Sequence, residues 1–403
     1  MSTSVPGTGP GDILALIRRS GVCTRGEIQR ITGLSRMTVG QRLAPLVEQG
    51  LLRGAGPQGR TGGRPPQGLE FNPGQGVVLA AALETTRCRT AVTDLAGRIL
   101  RTDEPDVSVQ AGPRDTLDAV CSSLLRLLED HGADPSAVRG VGVSLPGPVD
   151  PATGRPSEPP IMPGWDGFAV AEHVSARTGS PVVVVDNDAN AMALGEYVRR
   201  GPDGPPLVLV KVSTGIGAGI VIDGEIYQGV DGGAGDIGHV RTQHEGRMCR
   251  CGARGCLAAT ASGWAVAAQL TELGVPAVSG HDVQLLLAAG DPHAARLTRE
   301  AGRLIGDVAA TVVSVLSPGT LLLGGDLAST ALLSGVRERL YLRTLPRATR
   351  HLRVELAAIG ADAALEGITR TVVDRVFAPA AVNERLAGQG PGSPDRGRRT
   401  LGG

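Results

Sequence analysis

No stretch of this sequence approaches the ~20 consecutive apolar residues that a membrane-spanning helix needs. The first residues also lack the charged region, apolar run and cleavage site of a secretory signal. Together these absences predict a cytoplasmic protein with no membrane partner. Lysine is all but missing. Lys211 is the single one among 40 basic residues, so the basic charge is arginine, as fits the codon usage of a GC-rich genome. Net charge is missing too, at a formal +0, but the first 71 residues hold nine Arg against four acids and carry +5, leaving −5 for the rest. A basic head on an acidic body is expected where the head meets a polyanion. Cysteine is sparse, six in 403 residues, and in a reducing compartment that excludes a disulfide-stapled fold. Three of the six crowd between Cys249 and Cys256, which reads as metal binding and not as disulfides.

What is present is ordinary for a globular chain: 41% hydrophobic and 20% charged residues, in a length that accommodates two or three domains. Residues 1–11 are rich in Gly, Pro and Ser and are read as a flexible N-terminus. From 12 to 52 the apolar spacing is helical. A helix near 12–20 is followed by one over 24–32, a Gly33-Leu34 turn, and Ser35 as N-cap of a third. Ile28, Ile31, Leu34, Val39 and Leu43 are placed to pack these helices, leaving Arg36, Thr38, Gln41 and Arg42 facing outward. Arg and Gln can form bidentate bonds to guanine and adenine edges. The Gly/Pro/Arg stretch that follows reads as a wing, with Arg60 and Arg64 suited to a narrow minor groove. The head, 12–72, is therefore expected to be an α+β winged helix-turn-helix that binds double-stranded operator DNA, the alternative being a three-helix bundle with a solvated basic face and no DNA. Pro45 lies inside the third helix, where it predicts a kink or break.

Over 76–377 apolar strands alternate with helices, which argues for an α/β body with sheets covered on both faces. Strands are predicted at 77–83, 138–144, 181–185 and 207–212, and a helix at 116–131. Residues 378–403 read as a disordered tail. His239 precedes Cys249-Arg-Cys251-Gly-Ala-Arg-Gly-Cys256. Three thiolates and one imidazole suit a tetrahedral, structural Zn²⁺, one per chain, with no position open to water. Asp186-Asn187-Asp188-Ala189-Asn190 ends one strand and opens a helix, the place where ligands sit in such sheets. Ser213-Thr214-Gly215-Ile-Gly217-Ala-Gly219 is a Gly-rich turn that suits phosphate, or else close backbone packing.

Taken together these segments resemble the ROK family of repressors, open reading frames and sugar kinases, over roughly residues 12–377. The resemblance implies a two-lobed, actin-like sugar-kinase fold behind the DNA-binding head. It implies a sugar site in which Asp188 occupies the place of the kinase general base and Asn187, Asp236 and His239 bind hydroxyls, His239 contacting the zinc as well. The family usually has Glu where this chain has Asp236, and a second sugar-binding Glu where it has Ala258. In the kinases a tight Asp-x-Gly-Gly-Thr turn approaches the phosphates; here the segment is Ala82-Leu83-Glu84-Thr85-Thr86. Thr214, Gly215, Gly217 and Gly219 then remain as half of a phosphate cradle. Glu84 is expected to repel phosphate from the other half. The reading that follows is a transcriptional repressor, a homodimer or homotetramer, modulated by a sugar or sugar phosphate and not an enzyme. An ATP-dependent, glucokinase-like sugar kinase with an added DNA-binding head is the alternative, and a ligand-independent DNA-binding protein is a third.

Overall fold

Residues 9–57, 67–201, 204–242 and 245–388 are described by the computed structural model. The head begins with α1 (Pro10–Ser20), whose first turn is closed by Gly9 N donating to the Asp12 carboxylate at 2.9 Å. A short strand β1 (Val22–Thr24) leads into α2 (Arg25–Thr32), where Thr24 and Glu27 form a reciprocal capping box. Ser35 then caps α3 (Arg36–Glu48) by accepting from Thr38 N. Strands β2 (Leu52–Pro57) and β3 (Gln67–Phe71) complete a sheet with β1 at the edge of β3. The predicted break at Pro45 does not occur: α3 runs through it, because Leu43 and Leu46, both essentially fully buried, hold the last turn in place. Ile31, expected in the core, is instead 40% exposed.

The body contains two sheets of identical plan. The first uses β4 (Val77–Leu83), β5 (Cys88–Asp94) and β6 (Ile99–Asp103) as an antiparallel meander. After α4 (Pro113–His131), β7 (Val138–Leu145) joins β4 in parallel. After α5 (Val170–Thr178), β8 (Val183–Asn187) joins β7 in the same sense. The strand expected at 181–185 is thus displaced, and Asp186 and Asn187 lie within it. Helix α6 (Asp188–Arg200) crosses to the second lobe, where β9 (Leu207–Val212), β10 (Ile216–Ile222) and β11 (Glu225–Ile226) repeat the meander. Helices α7 (Ala258–Ala261), α8 (Gly263–Glu272), α9 (Gly280–Ala288) and α10 (Pro292–Leu316) precede β12 (Thr320–Gly324), which pairs in parallel with β9. Helices α11 (Thr330–Arg343) and α12 (Pro346–Thr349) precede β13 (Arg353–Leu356), parallel to β12. The chain then returns to the first lobe through α13 (Asp362–Val376).

Strand alternation explains the layering. In β4, Val78, Ala80 and Ala82 enter the core beneath α13, whereas Val77, Leu79, Ala81 and Leu83 enter the core beneath α4. In β9, Val208, Val210 and Val212 face the α8–α11 side, whereas Leu207 and Leu209 pack with Met192, Ala193 and Tyr197 of α6. Helices α6 and α13 therefore lie between the two sheets. They touch backbone to backbone, since a Cβ on Gly367 would come within 1.7 Å of Ala191 O, and one on Gly195 within 2.0 Å of Ala363 O.

The region read as a disordered tail opens instead with a helix, α14 (Pro379–Gly388), anchored by fully buried Val382. It packs on α1, with Gly11 N donating to Asn383 Oδ1 at 2.8 Å. Arg18 pairs with Asp374 at 2.7 Å and Phe71 meets Phe377 edge-on at 5.3 Å. Head and body are joined through these C-terminal helices, and α1 starts at Pro10, within the segment expected to be flexible.

Candidate functional site

A cleft of about 120 Å³ lies between the lobes, bounded by the β4–β5 turn, the start of α6 and the β9–β10 turn. Alternation along β9 puts Lys211 on the same face as Leu207 and Leu209, toward α6, at the level of that helix's first residue. There its ammonium donates to Asp188 Oδ2 at 2.6 Å and lies 3.2 Å from Glu84 Oε1. Glu84 in turn holds Arg87 at 2.8 Å, and Arg87 reaches across the cleft to Asp326 at 2.5 Å and to His281 Nδ1 at 3.2 Å. Glu84 and Arg87 belong to the first lobe, and Lys211, His281 and Asp326 to the second. A chain of charges thus spans the cleft at the turn after β4.

The electrostatics follow from burial. Desolvation opposes the Lys211 charge, but Asp188 and Glu84 outweigh it and hold the ammonium above its ordinary value. Burial raises Asp188, with Lys211 pulling it back. Burial also acts to raise Glu84, yet Lys211 and Arg87 prevail and its carboxyl is lowered. Glu84 is therefore not the bare, phosphate-repelling charge anticipated from sequence: its carboxylate is paired with Lys211 and Arg87 at the wall of the cleft. Burial raises Asp326, reinforced by Glu84, and raises Asp236, which His239 opposes.

The sugar-site candidates converge only in part. Asp188, Asn187, Asp236, His239 and Ala258 all line the cleft. Asn187 is largely committed to structure: its Oδ1 accepts from Ala189 N and Asn190 N to cap α6, and its Nδ2 donates to Gly147 O at 3.0 Å. Asp186 is buried and accepts from Asn187 N, Asn190 Nδ2 and Gln228 Nε2. The Gly-rich turn divides by role. Nothing would meet a Cβ on Gly215, and only Ala189 Cβ, at 3.6 Å, would meet one on Gly217, so both leave the cleft open beside Thr214. Gly219 serves packing, since a Cβ there would come within 2.3 Å of Ala189 O.

The metal cluster assembles as its spacing foretold. Ligand atoms of His239, Cys249, Cys251 and Cys256 all lie within 4.8 Å of one another. Cys251 Sγ and Cys256 Sγ are 3.8 Å apart, as are Cys249 Sγ and His239 Nδ1. Tetrahedral bonds of ~2.3 Å to sulfur require sulfurs about 3.8 Å apart, the separation of Cys251 and Cys256, so this cluster is of a size to hold a metal ion. The other three cysteines, Cys23, Cys88 and Cys121, are free and buried in cores.

On the head, Arg36 and Gln41 are exposed along α3, as is Met37. Thr38 is half-buried and shares a hydroxyl contact with Ser35 at 2.9 Å. Arg42 does not project freely: it is half-buried, and its Nε is enclosed without a partner among the described residues. Arg60 and Arg64 lie outside the described residues.

The sequence model of the ROK family matches residues 80–374, most of the chain. The chain belongs to the ROK family. A winged helix-turn-helix DNA-binding model matches residues 11–53, so this ROK body carries a DNA-binding head. A putative xylose repressor of Caldicellulosiruptor sp. is 29% identical over 394 residues, spanning 91% of this chain and 95% of that protein. A glucokinase of Halalkalibacterium halodurans is 30% identical over 301 residues, spanning 70% of this chain and 90% of its own. Among solved structures, a ROK family transcriptional regulator described as a homologue of the E. coli MLC protein superposes with a TM-score of 0.77 at 24% identity, covering 94% of this chain and 98% of its own. Among the described residues no helix is long and apolar enough to cross a membrane.

Proposed function

We propose that this chain is a sugar-responsive transcriptional repressor with a structural zinc and no useful kinase activity. The observation that carries this reading is the Glu84–Lys211–Asp188 and Arg87–Asp326 network, standing where the kinase members of the family place a glycine turn and nucleotide phosphates. Phosphoryl transfer depends almost wholly on holding the γ-phosphate in line with the attacking hydroxyl. In this cleft Asp188 is bonded to an ammonium, and the space opposite it is filled by paired side chains. The relatives are consistent with the division: the repressor named above matches head and body together, the glucokinase the body alone.

The effector is a small sugar whose hydroxyls compete with Lys211 for the Asp188 carboxylate, with Asp236 and His239 as further partners. Asp188 is the first residue of α6, and α6 meets α13 through glycines, so a shift there is passed by contact to α13, α14 and the head. Zn²⁺ at His239, Cys249, Cys251 and Cys256 stiffens the loop that presents His239 to the cleft. A homodimer or homotetramer, reading a palindromic operator, supplies the two-fold geometry on which such a shift acts.

The test measures ATP turnover with a panel of sugars beside operator binding with the same sugars. The reading expects no sugar-dependent turnover and a sugar-dependent change in operator affinity. Asp188→Asn should impair that response while leaving sugar-free operator binding nearly unchanged. Sugar-dependent ATP turnover that Asp188→Asn abolishes would establish the kinase alternative, which retains Asp188 at a helix start and the open Gly215 and Gly217.

A further inference from the structure

A second cavity, of about 270 Å³, opens where head, body and last helix meet; it shares no lining residue with the cleft. Its walls are Gln49, Leu51, Arg139, Phe377 and Arg385. Both cations are held in place. Arg139 donates through Nε and a terminal nitrogen to Gln75 O, at 3.2 and 2.6 Å, and lies over Gly76, where a Cβ would come within 2.6 Å of its Nε. Arg385 rests its guanidinium 5.7 Å from the centroid of the Phe377 ring. No carboxylate pairs with either one among the described residues. Asp374, three residues before Phe377, is taken by Arg18 and Arg370. Burial and the charge of Arg139 both press Arg385 below its ordinary value, the mark of two cations brought together without an anion.

We propose that this cavity binds a phosphoryl anion, either inorganic phosphate or a small phosphate ester. Two guanidinium groups line one space. Arg385 has no carboxylate partner among the described residues, and Arg139, whose Nε and one terminal nitrogen donate to Gln75 O, keeps further N–H groups on its terminal nitrogens. Together they offer more donors than the two oxygens of a carboxylate call for. The cavity has room for such a group with accompanying water. Its position gives the anion a consequence. Gln49 is the C-cap of the recognition helix α3 and Leu51 precedes the wing strand β2, whereas Arg139 opens the body sheet at β7 and Arg385 lies on α14. An anion held by the two arginines fills the space against Gln49 and Leu51, at the end of the recognition helix, and so narrows the orientations the head can take.

The test uses the full chain, metal-loaded, in chloride buffer of constant ionic strength, with inorganic phosphate or glucose 6-phosphate added. The expected result is a rise in Tm of roughly 2–4 °C near saturation, absent in Arg385→Gln and kept in Arg36→Ala and Thr214→Val, which report on the DNA face and the cleft. Arg139→Gln serves as the second variant should Arg385→Gln fold poorly. Equal shifts from the two anions identify inorganic phosphate as sufficient; a shift from the ester alone identifies an ester. No phosphate-specific shift, or one that survives in both arginine variants, overturns the proposal. So does a loss of operator affinity with a shallower salt dependence in phosphate-free buffer, which would assign these arginines to the DNA backbone.

Discussion

Lys211→Met tests whether the cleft network is a neutralised unit. The substitution keeps the stem that packs beside α6 and removes the ammonium from between Asp188 and Glu84, side chains that are 13% and 32% exposed. Glu84 keeps Arg87, but Asp188 keeps no cation, and breaking a buried pair from one side costs about 3–5 kcal/mol. For a body of this size that lowers Tm on the order of 10 °C at neutral pH. The pH dependence gives the sharper signature. Burial already raises Asp188 above its ordinary value, and the opposing pull of Lys211 is gone in the variant, so its folded value climbs further. A carboxyl with a folded value above its unfolded one binds more protons when folded, so stability rises as pH falls through the folded value. The deficit of Lys211→Met relative to wild type should therefore shrink between about pH 7.5 and about pH 5. Adding Asp188→Asn should restore much of the loss at pH 7.5. The assay is thermal unfolding of wild type, both single variants and the double variant at both pH values. A Lys211→Met protein as stable as wild type at pH 7.5, or a deficit independent of pH and unrelieved by Asp188→Asn, refutes the reasoning.

Purified protein should contain about one zinc per chain, and Cys251→Ser should lose metal and thermal stability together, as read by elemental analysis and unfolding. Arg36→Ala should weaken operator binding by roughly 1–3 kcal/mol, with the loss concentrated on one base position in a panel of altered operators. Gly367→Ala sets a methyl against Ala191 O, where its Cβ would lie 1.7 Å away, and should destabilise the body by about 1–3 kcal/mol or more in denaturant unfolding.

Features written in neighbouring residues were legible in the sequence, and those written across the cleft were not. The cap at Ser35, the apolar run of β4 and the clustering of His239 with three cysteines are local signals, and each appears where the sequence puts it. The charge network joins Glu84, Arg87, Asp188, Lys211, His281 and Asp326, which no local pattern connects. One clue was available: the chain's single lysine interrupts an otherwise apolar strand, at the register that faces α6. The pairing of Glu84 with Lys211 was hidden for the same reason, since that partner arrives from a distant segment. The partial enclosure of Arg42 was not legible, because helical periodicity assigns a face without showing what packs against its margin. Composition hid α14, whose ten residues adjoin a Gly/Pro/Arg-rich stretch and whose buried Val382 is its main apolar anchor.

The contact of α1 with α14 brings together segments whose bonded residues, Gly11 and Asn383, lie 372 positions apart in the chain. The head shares one core of buried residues with β4, α13 and α14. Its seat requires Asn383 beside Gly11, Asp374 beside Arg18 and Phe377 beside Phe71, all supplied in the last part of the described chain. Until those residues emerge, the recognition helix belongs to a module tethered loosely to a growing body. A chain arrested before α13 would carry a DNA-reading surface with no fixed relation to the sugar cleft. Emergence of α13 and α14 is therefore what converts a helix-turn-helix into one that its own body can govern.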